Sequence, residues 1–418
     1  MDALRYNESM NKAQIVMIIV ALLALGGLLY INPFSFSNSV VAYLMYSIIL
    51  VALVILSVKM QPKVDENIKQ GRINLDNVDI TKWICAIIII ILHLRPFQSI
   101  NPILDIVFNN MISRICVPFF FVSSGYLAAK KLSSEPNYIC RYIKQTIKTY
   151  LKISLLYLPL GIAYLLPALQ QINTIIVNLG YNALINTLIW GLITIVALGI
   201  ALFYVGTYYH LWYFPALLIS LALIDWARKR FKLSYFLLFS FGLLIIGSFE
   251  TYYGSFPALM QWFLDKYFMV FITTRNFLFF GLFYVTLGFV MYGQKPLFAY
   301  HATFGLFLSF IGLIVEAVFL QTITRLDSNI LISAAPFVYF LFIVAIYTNK
   351  WSRKKFNFRA YSIEYYLWHP MIIFIMVDIL HLNITWANEP YLLILVGFLT
   401  THLLSSLLIH YRTQKKSH

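Results

Sequence analysis

The chain has 418 residues, 61% of them hydrophobic and only 11% charged, and its mean hydropathy is +0.79. Apolar runs of roughly 18 residues or more recur along its length, which excludes a soluble enzyme and marks a polytopic helical membrane protein. The formal charge of +15 comes from 31 Lys and Arg against 16 Asp and Glu. No basic run interleaved with aromatics offers a nucleic-acid surface, so the surplus is assigned to the positive-inside rule.

Asp2, Arg5, Glu8 and Lys12 precede the first apolar run, which lacks a small-residue cleavage site and is expected to stay as a helix rather than leave as a signal peptide. With the N-terminus inside, a span near 14–31 exits and one near 39–58 returns to a polar segment, 60–78, flanked by Lys59 and bearing Lys63, Lys69 and Arg72. The span 79–94 exits, and 111–128 re-enters to a loop holding Lys130, Lys131, Arg141, Lys144, Lys148 and Lys152. A span near 153–169 goes out. The one at 211–227 comes in to Arg228, Lys229, Arg230 and Lys232, and further spans alternate near 233–249, 274–293, 299–320, 331–348, 362–380 and 391–410. Only Arg95, Arg114, Lys266, Arg275 and Arg325 then lie outside, against 26 of the 31 basic residues inside. The expectation is an all-α bundle of about twelve spans in the plasma membrane, two N-terminal plus a core of ten, with both termini cytoplasmic.

Residues 170–210 must begin and end outside, so 182–204, although apolar enough to span, is expected as a re-entrant hairpin or an interfacial helix over the outer mouth. A thirteenth crossing would invert every later basic loop. The division by composition is 1–74 (a two-helix hairpin and linker), 75–411 (the membrane domain) and 412–418 (a basic tail). Cys85, Cys116 and Cys140 are odd in number and lack CxxC spacing, so neither a disulfide framework nor a metal site is expected.

The chain is organised around the third span. Lys82 and His93 are eleven residues apart, close to three helical turns, so they share one face about 16 Å apart. Asp79 falls near the same face. A polar stripe through lipid is costly unless it looks into a bundle interior or a watery cavity. In the fourth span Arg114 and Gly125 are again eleven apart, with Pro118 and Ser124 between. Proline frees a backbone carbonyl, and glycine lets a second backbone or a ligand come close. His210 and Trp212 open the span at 211–227 from the outer side, as Arg275 and Asn276 open the one at 274–293. Ser362, Tyr366 and His369 share a face, whereas Glu364 points away from them and is expected to be neutralised by the basic loop 350–359.

In this order the motifs resemble the acyltransferase 3 family of membrane O-acyltransferases. The matching residues are Asp79-x-x-Lys82-x10-His93, Arg114-x-x-Val117-Pro118-x-Phe120-Phe121-x-x-Ser124-Gly125-Tyr126, Arg141-x-x-Lys144 and Ser362-x3-Tyr366-x-x-His369-Pro370. His210–Ala216 and Thr274–Asn276 are similar to the branch that includes the membrane domain of vancomycin-resistance serine racemases. The racemase catalytic part is not expected, the chain reaching His418 soon after its last helix. Lys82 and Lys144 stand where the family usually has arginine, and lysine keeps the charge but loses the bidentate fork.

The resemblance implies transfer of an acyl group, most often acetyl, from cytosolic acyl-CoA to a hydroxyl of an envelope polymer or lipid-linked acceptor, with no metal. It implies His93 as general base or transient acyl carrier, grouped with Lys82 and Asp79. Arg114 and Ser124 would steady the oxyanion, and His369 would be a supporting group or acid. Arg141, Lys144 and Lys148 would hold the donor phosphates. His210, Trp212, Arg275 and Asn276 would face the acceptor. The alternative is a transporter of a serine-like amino acid or a polysaccharide exporter, and a non-catalytic scaffold would leave the stripe at 79–93 unexplained.

Overall fold

The computed structural model describes residues 59–97 (Pro62 apart), 102–293, 301–351, 356–385 and 389–417, so the two spans expected at 14–31 and 39–58 lie outside the described residues. Among the described residues there is no strand. In chain order the helices are α1 Leu75–Leu94, α2 Pro102–Val107, α3 Cys116–Leu132, α4 Tyr138–Asn178, α5 Ala183–Ile200, α6 Tyr213–Ala227 and α7 Leu233–Gly247. They continue with α8 Ala258–Phe271, α9 Leu282–Met291, α10 Ala302–Phe319, α11 Ala334–Tyr347, α12 Phe358–Phe374, α13 Leu382–Thr385 and α14 Pro390–Ser417. Six stretches among the described residues are long and apolar enough to cross a bilayer: Leu75–Leu94, Asp105–Leu132, Ala183–Val205, Leu233–Glu250, Ala302–Phe319 and Tyr391–Lys415. The protein is an all-α membrane bundle.

The described residues divide into two compact units, one from within 1–123, 250–262 and 294–418, the other from within 124–249 and 263–293. In the first, α12, α14 and α11 pack on α1. The Asn74 side chain caps α1 by accepting from the Asp76 amide, and Arg95 ends it in the left-handed region at φ 47°. Its isoleucine run is a poor intrinsic helix former, so burial holds it. Ala86, Ile90 and Leu94 join Tyr365, Ile372, Ile373, Met376 and Leu393 in one buried cluster. At the other end the fully buried Asn77 amide donates to the Ala345 and Asn349 carbonyls, each at 3.1 Å, and accepts from the Trp351 amide at 2.9 Å. That single side chain ties the start of α1 to the end of α11.

In the second unit α6, α7 and α9 pack together, with α4 along α6. The span expected at 153–169 is part of the 41-residue α4. Gly180 turns the chain at φ 70°, the Asn182 side chain caps α5, and the chain runs back beside α4. Trp190 Nε1 donates to Asn173 Oδ1 at 3.3 Å, and the Tyr150 hydroxyl donates to the Leu202 carbonyl at 2.8 Å. The ambiguous 182–204 stretch is therefore the return arm of a continuous helical hairpin. No residue of α5 is buried. Helix α8 was not expected, because Asp265 and Lys266 interrupt a segment too short to stand out as an apolar run.

Candidate active site

His210, Trp212, Arg275 and Asn276 lie in the turns just before α6 and the π-helical turn Phe277–Gly281, the other implied residues lie on helical segments, and the first unit holds the group on α1. Lys82 Nζ lies 2.7 Å from Asp79 Oδ1, one turn back on the same helix, with side chains 13% and 30% exposed. At the far end the His93 ring stacks on that of His369, centroids 5.4 Å apart and planes at 22°. Eleven residues of α1 carry the chain from the ion pair to the imidazole pair, and α12 supplies the second ring.

His369 is fully buried, and its Nδ1 lies 2.7 Å from the carbonyl oxygen of Tyr365. A carbonyl oxygen can only accept. The proton therefore sits on Nδ1 and the basic lone pair on Nε2. The i, i+4 register makes this bond possible, and Pro370, inside α12, follows directly. Tyr365 has a second attachment: its hydroxyl lies 2.6 Å from Nδ1 of His402 on α14. The His402 ring stacks on Tyr361 at 5.1 Å and on Phe398 at 5.9 Å. The sequence reading passed over Tyr365 and His402. The available signal was a histidine inside the apolar run of α14.

Glu364 is buried and accepts from Trp368 Nε1 at 3.0 Å and from the Arg412 guanidinium. The counter-ion seen for Glu364 is thus Arg412, whereas Arg353, Lys354 and Lys355 of the loop expected to neutralise it lie outside the described residues. Helix α14 continues to Ser417, past the end expected near 410, and carries Arg412 back to α12. Arg114 lies within a 3-10 turn, Ser113–Ile115, that follows a π-helical turn, Phe108–Ile112. Its Nη1 donates to Asn329 Oδ1 at 2.5 Å.

The second unit holds the remaining implied residues. Ser124 Oγ lies 3.2 Å from the Tyr213 hydroxyl. Gly125 meets the backbone of α9, since a Cβ there would lie 2.0 Å from the Val285 carbonyl oxygen. Arg141, Lys144 and Lys148 line one cavity of about 520 Å³ with Asn137, Cys140 and Gln145, and Arg141 also pairs with Glu135. Cations at i, i+3 and i+7 suit a ligand with more than one phosphate. His210 is buried edge-on to Tyr157, with centroids 4.7 Å apart. The Arg275 guanidinium lies 5.1 Å from the Trp212 ring centre, a cation–π distance. Asn276 is buried as the cap of the π-helical turn Phe277–Gly281. Its Oδ1 accepts from the Leu278 and Phe279 amides at 2.8 and 3.1 Å, and its Nδ2 donates to the Tyr204 hydroxyl at 2.6 Å. The fold thus already employs both ends of the amide expected to face an acceptor.

A helical membrane bundle with two imidazoles stacked between neighbouring helices is the class that fold and site define. The chain belongs to the acyltransferase 3 family, the model of its acyltransferase domain matching residues 75–410, and is a membrane acyltransferase at that level. It is 28% identical over 319 residues to an amino-acid racemase of Enterococcus faecalis, covering 73% of this chain and 42% of that protein. A serine/alanine racemase of Enterococcus gallinarum is 28% identical over 307 residues, 71% of this chain and 40% of that one. The chain thus spans about two fifths of the length of these relatives. No solved structure matches it.

Proposed function

We propose that the protein is an O-acyltransferase of the plasma membrane, moving an acyl group, acetyl in the simplest case, from cytosolic acyl-CoA to a hydroxyl of an extracytoplasmic envelope glycan or lipid-linked acceptor. The observation that carries this reading is the stacked His93–His369 pair. An acceptor hydroxyl ionises far above neutral pH, so a base must take its proton as the oxygen attacks the thioester carbonyl. A neutral imidazole does this near pH 7 without a permanent charge in the bilayer.

In the proposed step His93 accepts the hydroxyl proton as the new C–O bond forms. The tetrahedral centre collapses with cleavage of the C–S bond. The CoA thiolate leaves and takes the proton from the imidazolium, restoring the neutral base. His369, with its proton on Nδ1, sets a neutral ring against His93 and favours the cation that forms there. Arg114 and Ser124 are the proposed oxyanion donors. Arg141, Lys144 and Lys148 hold the phosphates of the donor; the cavity they share supports that role.

The test is mass spectrometry of envelope polymers and lipids from cells with the gene, without it, and with His93→Ala. An ester lost in both the deletion and the point variant is the expected result. Unchanged polymers together with altered serine uptake would replace the enzyme reading with transport.

A further inference from the structure

A second cavity, of about 500 Å³, lies in the first unit among residues that the acyl-transfer reading does not use. Its floor is apolar, formed by Leu306 and Phe307 of α10 with Leu341 and Val344 of α11. Its rim carries Lys63, Lys350 and Trp351. The 63–69 stretch is helical and one-sided: Val64, Asp65, Asn67 and Ile68 are buried, while Lys63, Glu66 and Lys69 are exposed. The Asn67 side chain fixes this helix to α11 by donating to the Tyr347 carbonyl and, at 3.1 Å, to Asn349 Oδ1 (the first contact is 2.6 Å). Lys63 is thereby held at the mouth of the slot.

The two cations differ. Lys350 is half exposed and paired with Asp76, whereas no ion pair among the described residues involves Lys63. Trp351 is 42% exposed in the turn just past α11, a usual position for an aromatic residue at a membrane–water boundary. The surrounding sequence is the basic side of the chain, with Lys59, Lys69 and Arg72 on one flank and Arg353, Lys354 and Lys355 on the other. The positive-inside rule puts that side against the cytoplasmic leaflet.

An apolar slot between two helices, opening at a cationic rim at headgroup depth, has the chemistry of an amphiphile with one or more acyl chains and a negative head. We propose that this cavity is a binding site for an anionic phospholipid of the inner leaflet, with the chain along Leu306, Phe307 and Leu341 and the phosphate at Lys63. The site is independent of the acyl-transfer reading. A zwitterionic lipid would fill the same slot but gain less from the lysine, and one lysine near the surface is worth roughly fivefold in affinity.

Native mass spectrometry of the purified full-length protein, titrated with dioleoyl-phosphatidylglycerol or dioleoyl-phosphatidylcholine, tests this. The expected result is tighter retention of phosphatidylglycerol, by roughly fivefold, which Lys63→Glu abolishes. Lys69→Glu, on the same helix but outside the cavity, should leave the preference intact, and Leu341→Trp should weaken phosphatidylglycerol retention by filling the slot. Equal retention of the two lipids, or a preference that survives Lys63→Glu, overturns the proposal. Loss of preference in Lys69→Glu as well would mean a diffuse basic surface and overturns it too, as would displacement of the lipid by millimolar glycerol phosphate.

Discussion

Replacing Gly125 by alanine tests how the second unit is held together. The added Cβ would sit 2.0 Å from the Val285 carbonyl oxygen, 2.9 Å from its carbon and 3.0 Å from the Phe289 amide nitrogen. All three obstacles are backbone, so no rotamer change relieves them. Restoring an ordinary contact of about 3.4 Å requires the facing helix to retreat by about 1.4 Å, into a close-packed interior. Overpacking of this kind costs about 1–3 kcal/mol, and rigid obstacles favour the upper end. Alanine returns about 1 kcal/mol of helix propensity, leaving a net loss of about 2 kcal/mol. Gly191→Ala is the matched control, because nothing lies within 4 Å of its Cβ position, and only the propensity gain of about 1 kcal/mol remains. Thermal unfolding in detergent should separate the two variants by about 3–4 °C, since an unfolding entropy of about 2.1 cal/mol/K per residue over 418 residues converts each kcal/mol to about 1 °C. If Gly125→Ala melts as high as Gly191→Ala, the close approach is not a structural constraint and the reasoning fails.

His369→Asn keeps an N–H donor for the Tyr365 carbonyl but removes the ring from His93. Acyl transfer should fall about 10- to 100-fold, while the unfolding midpoint moves little. Arg141→Ala should raise KM for acyl-CoA about tenfold, the worth of one charge-assisted bond, with kcat nearly unchanged, and Lys144→Arg should lower KM by restoring a bidentate grip. Arg412→Ala strips the buried Glu364 carboxylate of its counter-ion; with Arg412 itself half exposed the cost is discounted to about 1–3 kcal/mol. Glu364→Gln in that background should recover most of it, as a double-mutant cycle of unfolding midpoints would reveal.

Hydropathy located most of the helices because each apolar run is a local property of the chain. The bounds of α6, α7, α10 and α11 fall within about three residues of the ends expected from composition. It failed where length is set by a partner. Helix α4 outruns its apolar core at both ends, because α5 lies alongside through Asn173 and Tyr150, and no residue within 170–178 announces that companion. Helix α14 likewise continues into its basic tail, where Arg412 finds Glu364. Local rules carry the caps well: Asn74, Asn182 and Asn276 each stand just before a helical segment and each accepts from an amide two or three residues on.

The candidate site divides along the same line. That Lys82 and Asp79 meet, and that His369 bonds Tyr365, follows from spacings of three and four on a single helix. That His93 faces His369 does not, since 276 residues separate them and only the packing of α12 on α1 brings the rings together. The local bond nevertheless constrains the distant one. With Nδ1 committed to a backbone carbonyl, His369 can offer His93 only its ring face and its Nε2 lone pair, so it cannot act as an acid in its neutral state. The acid role implied by family resemblance would therefore require His369 to gain a second proton while fully buried and stacked on another imidazole. A supporting role, with His369 neutral throughout the cycle, asks far less of this environment, and it assigns the proton traffic to His93 alone.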